Sequence, residues 1–183
     1  DQTIAQRNLA LRDHMLQLAG PQGWEATIAA TRSSLAELAS ASWLPKVGNV
    51  LLVGHGTSYA TASNIESWLS HIARVNARAL PAFQVAQYPD DHLLDPESTL
   101  VIGISCSGNT ASVVNALQRA NERGAATMLI SGSVDCEGAR VAGSRILTLA
   151  EVERAADVSA YSVSHLYIAL AGFEFALLLG RVR

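Results

Sequence analysis

The chain of 183 residues has the length of one domain, and a single core of that size can bury most of its apolar side chains. Apolar residues make up 49% of it and charged residues 16%, with a formal net charge of -3, which argues against both a disordered chain and a nucleic-acid binder. The first residues carry no cationic apolar leader, and the longest apolar run, 166–180, contains Glu174 and falls short of a bilayer span. We therefore expect a soluble, cytoplasmic protein that binds neither nucleic acid nor membrane.

Two helices are predicted before the first strand. Apolar residues recur at three- and four-residue intervals over 4–20 and over 24–44, and Gly20-Pro21 separates the two segments. Residues 1–45 are therefore interpreted as an N-terminal helical arm that packs on the following domain or dimerises it. Residues 46–183 are interpreted as that domain.

From residue 46 onward, short apolar runs alternate with helical patterns. The runs are continuous, which is typical of strands buried on both faces of a parallel sheet. The chain is therefore predicted to be an α/β protein: a doubly wound three-layer α-β-α sandwich of about five parallel strands, flavodoxin- or Rossmann-like, with extra N-terminal helices. The predicted strands are 49–54, 77–82, 99–105, 126–132 and 145–150, and helices are predicted after the first strand, at 111–124, at 136–143 and through the C-terminal run.

Two turns after predicted strands combine glycine with small hydroxylated residues. The first, GHGTS, occupies 54–58, and the second, SCSGNT, occupies 105–110. In an open parallel sheet, both would lie at the carboxyl edge where ligands bind, and each leads into a helix whose first N–H groups attract anions. Together they offer a phosphate several hydroxyl and amide donors without a lysine or arginine. The alternative is that their hydroxyls are ordinary N-caps and their glycines ordinary turn residues.

Other ligand-binding patterns fit the sequence poorly. The first turn lacks the third glycine of a dinucleotide fingerprint, and no P-loop exists because the only lysine, Lys46, precedes the first strand. Cys106 and Cys136 have neither metal-ligand spacing nor a secretory context, so both are expected to be free thiols. No metal and no cofactor are expected.

The two turns resemble the paired motifs of the sugar isomerase (SIS) domain. VGHGTSY at 53–59 and ISCSGNT at 104–110 carry this resemblance, which covers about 47–180. The GTS form is most similar to the isomerase half of glucosamine-6-phosphate synthase and related sugar isomerases. The resemblance implies that the phosphate lies on the second turn and the sugar near the first. It implies the following substrate-binding residues: Gly56, Thr57, Ser58, Ser105, Cys106, Ser107, Gly108, Asn109 and Thr110.

The same resemblance implies the kind of partner. The ligand would be a phosphorylated sugar or amino sugar, and the protein would be a homo-oligomer, a dimer or tetramer, with the site near the subunit junction. The chain departs from the family in holding one such domain, whereas the synthase-like members hold two. The segment at 151–160 matches a family glutamate with Glu153 but has Ala160 at the family's lysine position, so lysine-dependent chemistry is not expected. Lys46 lies at the amino end of the predicted sheet, opposite the pocket.

An aldose–ketose isomerase needs a base that moves a proton between neighbouring sugar carbons through an enediol, and an acid near the carbonyl oxygen. Glu153 is the first candidate, because it follows the last predicted strand; the alternative is a solvated carboxylate paired with an arginine. His165 in the C-terminal helical run and His55 in the first turn are the other candidates, and a structural histidine is the alternative for His165. Glu66 is expected on an exposed helix face, and the alternative is that it faces a subunit interface and a neighbouring pocket. Cys106 is not expected to act as a nucleophile, because no histidine is near it in the sequence.

The sequence thus predicts a phosphosugar-binding SIS domain that interconverts the aldose and ketose forms of a sugar phosphate. Two alternatives stay open: a non-catalytic phosphosugar-sensing regulatory domain, and one half of a tandem SIS amino-sugar isomerase. A sensor would tolerate the missing lysine, whereas an isomerase requires the carboxylate or imidazole groups for proton transfer.

Overall fold

A parallel sheet forms the centre of the protein. The computed structural model describes residues 20–147 and 162–183, and within these ranges the sheet has five strands in the order β2-β1-β3-β4-β5. Every neighbouring pair is parallel, and Val53 of the first strand lies opposite both Leu80 and Gly103. This order confirms the predicted doubly wound fold. The strands are β1 (Asn49–Gly54), β2 (Asn76–Pro81), β3 (Thr99–Ile104), β4 (Ala126–Ser131) and β5 (Ser144–Leu147).

Helices cover both faces of the sheet. They are α1 (Pro21–Ala39), α2 (Thr57–Trp68), α3 (Ala82–Gln87), α4 (Ala111–Glu122), α5 (Glu137–Val141) and α6 (Ser162–Val182). A π-helical turn, Leu69–Ala73, extends α2, and short 3-10 turns lie at Leu44–Lys46, Pro89–Asp91 and Pro96–Ser98. The predicted β1 has the same bounds as the observed strand, β3 and β4 end one residue before their predicted ends, and β2 is shifted by one residue toward the N-terminus. The predicted helix 4–20 and the end of the predicted strand 145–150 lie outside the described residues.

Successive side chains of β1 point to opposite faces, and each face has its own core. Val50 and Leu52 pack with α1, α2 and α6, whereas Leu51 and Val53 pack with α3 and α4. All four side chains are at most 5% exposed. Burying one such side chain stabilises the fold by about 1.5–3 kcal/mol, so the continuous apolar run holds helices on both sides. This arrangement confirms the predicted three layers.

The C-terminal helix α6 is a central part of one layer. Tyr167, Phe175 and Leu179 are fully buried, and Trp24 of α1 meets Tyr167 edge-on with ring centroids 5.3 Å apart. Segment 164–182 of α6 is long and apolar enough to cross a bilayer by length and composition alone, which differs from the expectation that the run is too short. The protein buries 39% of the apolar window in this segment, and Ile168, Ala171 and Phe175 are among the residues that pack into the core.

Helix α6 comes very close to α2. A methyl group added at Gly172 would lie 2.5 Å from side-chain atoms of Ile65, so only a residue without a side chain fits at this crossing. The short distance matters for the site, because α2 begins at the first glycine turn and α6 carries His165. Close packing of these two helices brings residues from distant parts of the sequence to one edge of the sheet.

Candidate functional site

The two glycine-containing turns lie side by side at the carboxyl edge of the sheet. They follow β1 and β3, which are neighbours in the strand order. Helix α2 leaves β1 toward one face and α4 leaves β3 toward the other. Between such strands the connections diverge, which opens the crevice that binds ligands in doubly wound folds.

Hydrogen bonds within the second turn hold it in a tight loop. The hydroxyl of Ser105 accepts from the amide of Gly108 at 3.0 Å and lies 3.0 Å from the hydroxyl of Thr110. The hydroxyl of Ser107 accepts from the amide of Asn109 at 3.2 Å. Ser105 is 1% exposed, whereas Ser107 and Thr110 are half-buried. Ser105 therefore fixes the loop from beneath, and the other two hydroxyls are accessible at its surface.

Residues after β4 support the same loop from the side. The hydroxyl of Ser131 donates to the carbonyl of Cys106 at 3.3 Å. The side-chain oxygen of Asn109 accepts from the amide of Glu137 at 2.8 Å, at the beginning of α5. The amide group of Asn109 is thus used to join two loops. No sequence pattern predicts this contact, because its two residues are 28 positions apart.

Neither helix that starts at these turns is capped by a side chain. The N-cap of α4 is Thr110, but its hydroxyl lies next to Ser105 and makes no capping hydrogen bond. The N-cap of α2 is Gly56, which has no side chain to offer. The alternative that these hydroxyls are ordinary N-caps is therefore not supported. Free N–H groups in a first helical turn favour an anion there.

Eight residues of the two turns and α6 enclose a cleft of about 190 Å³. The cleft contains five hydroxyl groups, two imidazoles and one thiol, and no lysine or arginine is among its lining residues. It brings together most of the predicted site, whereas Gly56, Gly108 and Asn109 shape the turns without lining it, and Glu153 lies outside the described residues. The lining residues are His55, Thr57, Ser58, Ser105, Cys106, Ser107, Thr110 and His165.

His165 is held between the first turns of two helices. Its Nδ1 lies 3.3 Å from the hydroxyl of Thr61, a buried residue of α2 that the sequence patterns did not single out. The Sγ of Cys106 lies 3.8 Å from both ring nitrogens of His165. Cys106 therefore has a histidine beside it in the structure, although none is near it in the sequence. The thiol is 7% exposed, so it forms the floor of the cleft beside the imidazole.

Glu66 has a structural partner away from the cleft. Its Oε2 accepts from the backbone amide of Ala79 at 2.8 Å, on the outer edge of β2. The side chain is half-buried, which differs from the exposed helix face expected from the sequence.

Lys46 lies in the 3-10 turn before β1, at the amino end of the sheet. Among the described residues, no group of three or more histidine, cysteine, aspartate or glutamate side chains is arranged to hold a metal.

Two larger clefts lie elsewhere on the protein. One of about 360 Å³ surrounds Arg123, whose guanidinium is already paired with Asp90 at 2.6 and 3.0 Å. The other, of about 620 Å³, lies between α1 and β5 and is lined mainly by alanine, serine and glycine. Neither combines free donors with helix N-termini, so the smaller cleft between β1 and β3 is the better candidate for a binding site.

A sequence model of the SIS domain matches residues 44–173 of this chain. Among solved structures, the C-terminal domain of glucosamine-fructose-6-phosphate aminotransferase from Francisella tularensis is similar with 21% identity and a TM-score of 0.69, over 92% of this chain and 48% of that one. A proposed phosphosugar isomerase from Silicibacter pomeroyi is similar with 19% identity and a TM-score of 0.72, over 94% and 50% of the two chains.

The sugar isomerase domain of an RpiR transcription factor from Sphaerobacter thermophilus has 20% identity and a TM-score of 0.53, over 96% of this chain and 98% of that one. No curated protein sequence matches. The chain spans about half the length of the first two structures, and all three identities are low enough that they show the shared fold alone. The sequence model covers well over half of the chain, and the sheet order and the paired turns agree with it. The chain belongs to the SIS domain family.

Proposed function

We propose that this chain binds a phosphorylated sugar or amino sugar and isomerises a sugar phosphate between its aldose and ketose forms. One observation carries the proposal: hydroxyl-rich turns at two helix N-termini and a titratable imidazole share a single cleft. The turns would hold a phosphate, and the imidazole would exchange a proton with the adjoining sugar carbons. Similarity to a proposed phosphosugar isomerase and to a sugar-phosphate aminotransferase supports the same ligand class.

The phosphate would bind to the second turn. Ser107 and Thr110 have accessible hydroxyls there, and the uncapped N-terminus of α4 adds backbone donors and a favourable dipole. A set of neutral donors suits a phosphate that must leave again after each turnover. Each hydrogen bond to a charged group contributes about 1.5–3 kcal/mol when its removal leaves the ligand oxygen unpaired.

His165 is the described residue best placed for proton transfer. In the forward reaction a base removes the proton from C2 of the aldose while an acid protonates the carbonyl oxygen, giving an enediol. The proton then returns to C1, and O2 becomes the ketone oxygen as its own proton leaves. Glu153 and His55 stay candidates for the second group, His55 from the lining of the cleft and Glu153 from the sequence match alone.

The cleft is small for a whole sugar phosphate. Its volume of about 190 Å³ is below the roughly 300–1,000 Å³ of typical small-molecule sites. Groups beyond these eight residues are therefore needed around the sugar. We propose that a second copy of the chain supplies some of these groups in a homodimer or homotetramer. We also propose that this oligomer is cytoplasmic. Light scattering coupled to gel filtration measures the mass directly, and a monomer that turns over substrate would contradict the oligomer proposal.

The test of isomerase activity is proton exchange in D2O. The purified chain is mixed with hexose, pentose, heptose and amino-sugar phosphates, and 1H NMR follows the C2 proton and the product. An isomerase should replace the C2 proton with deuterium, and His165→Asn should slow this exchange about 10²- to 10⁴-fold with affinity retained. His71→Asn is the matched control, because His71 is exposed and bonds the carbonyl of Ser67 outside the cleft. The absence of both product and C2 exchange with every sugar would refute the activity.

The test of the phosphate position is binding. Ser107→Ala and Thr110→Ala should each weaken phosphosugar binding by about 1.5–3 kcal/mol in calorimetry. Ser112→Ala is the control, since its side chain is not among the residues that line the cleft. Equal affinities for all three variants would place the phosphate elsewhere.

Phosphosugar sensing is the second candidate function. The similar transcription-factor domain matches this chain over nearly the full length of both, and Ala160 stands where the family has a lysine. A sensor would bind the phosphosugar without exchanging its C2 proton. In a sensor, Glu153→Gln and His165→Asn would leave the affinity unchanged, and the C2 proton would not exchange with or without them. Loss of exchange in either variant would favour the isomerase.

A further inference from the structure

Thr61 places its hydroxyl between a backbone carbonyl and the ring of His165. Its Oγ1 lies 3.1 Å from the carbonyl oxygen of Thr57, one helical turn earlier, and 3.3 Å from Nδ1 of His165. Thr61 is 6% exposed, and the His165 ring beside it is half-buried. Polar groups that are buried in this way need hydrogen-bond partners of correct polarity.

The two contacts together decide which ring nitrogen carries the proton. A carbonyl oxygen only accepts, and a hydroxyl has a single hydrogen to give. Only one arrangement makes both contacts hydrogen bonds: Thr61 donates to Thr57, and Nδ1 of His165 donates to Thr61. A neutral imidazole has one N–H, so its Nε2 then carries the lone pair.

The thiol of Cys106 does not determine which ring nitrogen of His165 carries the proton. Its sulfur is equally far, 3.8 Å, from Nδ1 and Nε2. An atom in line with one N–H bond of imidazole would lie much farther from the other nitrogen. The sulfur therefore contacts the ring without lying in line with either ring N–H direction.

We propose that Thr61 is a positioning residue that holds His165 in the Nδ1–H form, so that Nε2 is the nitrogen that accepts the proton from the sugar. The tautomer is inferred from the two contacts of Thr61, whereas the role of Nε2 rests on the proposed isomerase function. When Nε2 takes up a proton, the bond from Nδ1 to Thr61 persists and becomes charge-assisted, so the ring does not have to reorient during turnover.

The tautomer is measured by NMR without any substrate. Protein labelled with 15N in its histidine rings is studied at a pH where the rings are neutral, and the His165→Asn spectrum assigns the His165 signals. Nδ1 of His165 should show the shift of a protonated nitrogen and Nε2 that of an unprotonated one. Thr61→Val should move the ring toward the Nε2–H form, and Thr61→Ser should restore the original pattern.

Activity provides the second measurement. Thr61→Val should lower kcat/KM by about 10- to 100-fold with phosphosugar affinity unchanged, as for other residues that orient a histidine nitrogen, and Thr61→Ser should recover most of it. Ser63→Ala is the matched control, because Ser63 makes the same bond to a carbonyl four residues earlier in α2 and no contact to His165 is found for it.

The outcomes separate the two proposals. A wild-type ring protonated at Nε2, or a Thr61→Val ring with an unchanged tautomer, would overturn the role of Thr61 whatever the enzyme does. An Nδ1–H ring that depends on Thr61 in a protein that exchanges no sugar proton would leave the positioning intact and overturn the isomerase proposal instead.

Discussion

Replacing Gly108 by alanine tests whether the second turn depends on close packing. Gly108 has φ of 68°, and an added methyl group would lie 2.2 Å from Sγ and 2.8 Å from Cβ of Cys136. The left-handed backbone costs an alanine about 1–2 kcal/mol, and forcing a methyl group into a packed site costs about 1–3 kcal/mol. Gly108→Ala should therefore lower the free energy of unfolding by about 2–5 kcal/mol, measured by urea denaturation.

Gly124 provides the control for this substitution. It has φ of 81°, and an added methyl group there would meet no atom within 4 Å, so Gly124→Ala should cost only the backbone strain. Because Cys136→Ala removes the nearer of the two clashing atoms, the double variant Gly108→Ala with Cys136→Ala should be less destabilised than the sum of the single variants, by about 1 kcal/mol. Equal losses for Gly108→Ala and Gly124→Ala, or strict additivity with Cys136→Ala, would refute the packing explanation.

Three further substitutions test contacts that support the fold around the site. Glu66→Ala should cost about 1 kcal/mol in urea unfolding and leave ligand affinity unchanged, because it removes the acceptor for an amide of the edge strand β2; Glu66→Gln should recover most of this stability. The hydrogen bond from Arg123 lowers the pKa of Asp90 below 3.8. The ionised Asp90 carboxylate therefore stabilises the protein above pH 3.8, and this stabilisation is lost as the pH falls through the pKa of Asp90 in the folded protein. The stability difference between wild type and Asp90→Asn should thus be present at neutral pH and vanish in acid; a constant difference would contradict the pairing. Gly172→Ala should destabilise by about 1–3 kcal/mol, and combining it with Ile65→Ala should be less than additive, since the added methyl group would lie 2.5 Å from Ile65.

The strands and the two turns were predictable because their signals are local. Strand β1 is buried on both faces, so its apolar run begins and ends with the strand, and the glycine turn follows at once. The alternation of helices and strands predicted a parallel sheet with both turns at its carboxyl edge, whereas the strand order that makes β1 and β3 neighbours was not predicted. Patterns of neighbouring residues therefore predicted both the sheet and the edge where the cleft lies.

The contacts of individual site residues were not predictable, because they join distant segments. Thr61 and His165 are 104 residues apart, and Cys106 and His165 are 59 apart. The close crossing of α2 and α6 brings Thr61 to His165, and the turn after β3 places Cys106 beside the same ring. The side chain of Asn109 likewise binds the start of α5, so a residue expected to contact the ligand also has a structural role.

The contact between Thr61 and His165 bears on the choice between an isomerase and a sensor. Holding a phosphosugar requires donors, and the hydroxyl-rich turns supply these without help from the imidazole. Moving a proton between sugar carbons requires more, because the accepting nitrogen must be free of its own proton and must stay in place through the reaction. A buried hydroxyl whose only hydrogen is given to a backbone carbonyl meets both needs, since it accepts from Nδ1 in the neutral and in the protonated ring alike. The proposed arrangement would serve proton transfer and would add nothing to phosphate binding, so the measurement of proton exchange, and not the tautomer, decides between the isomerase and the sensor.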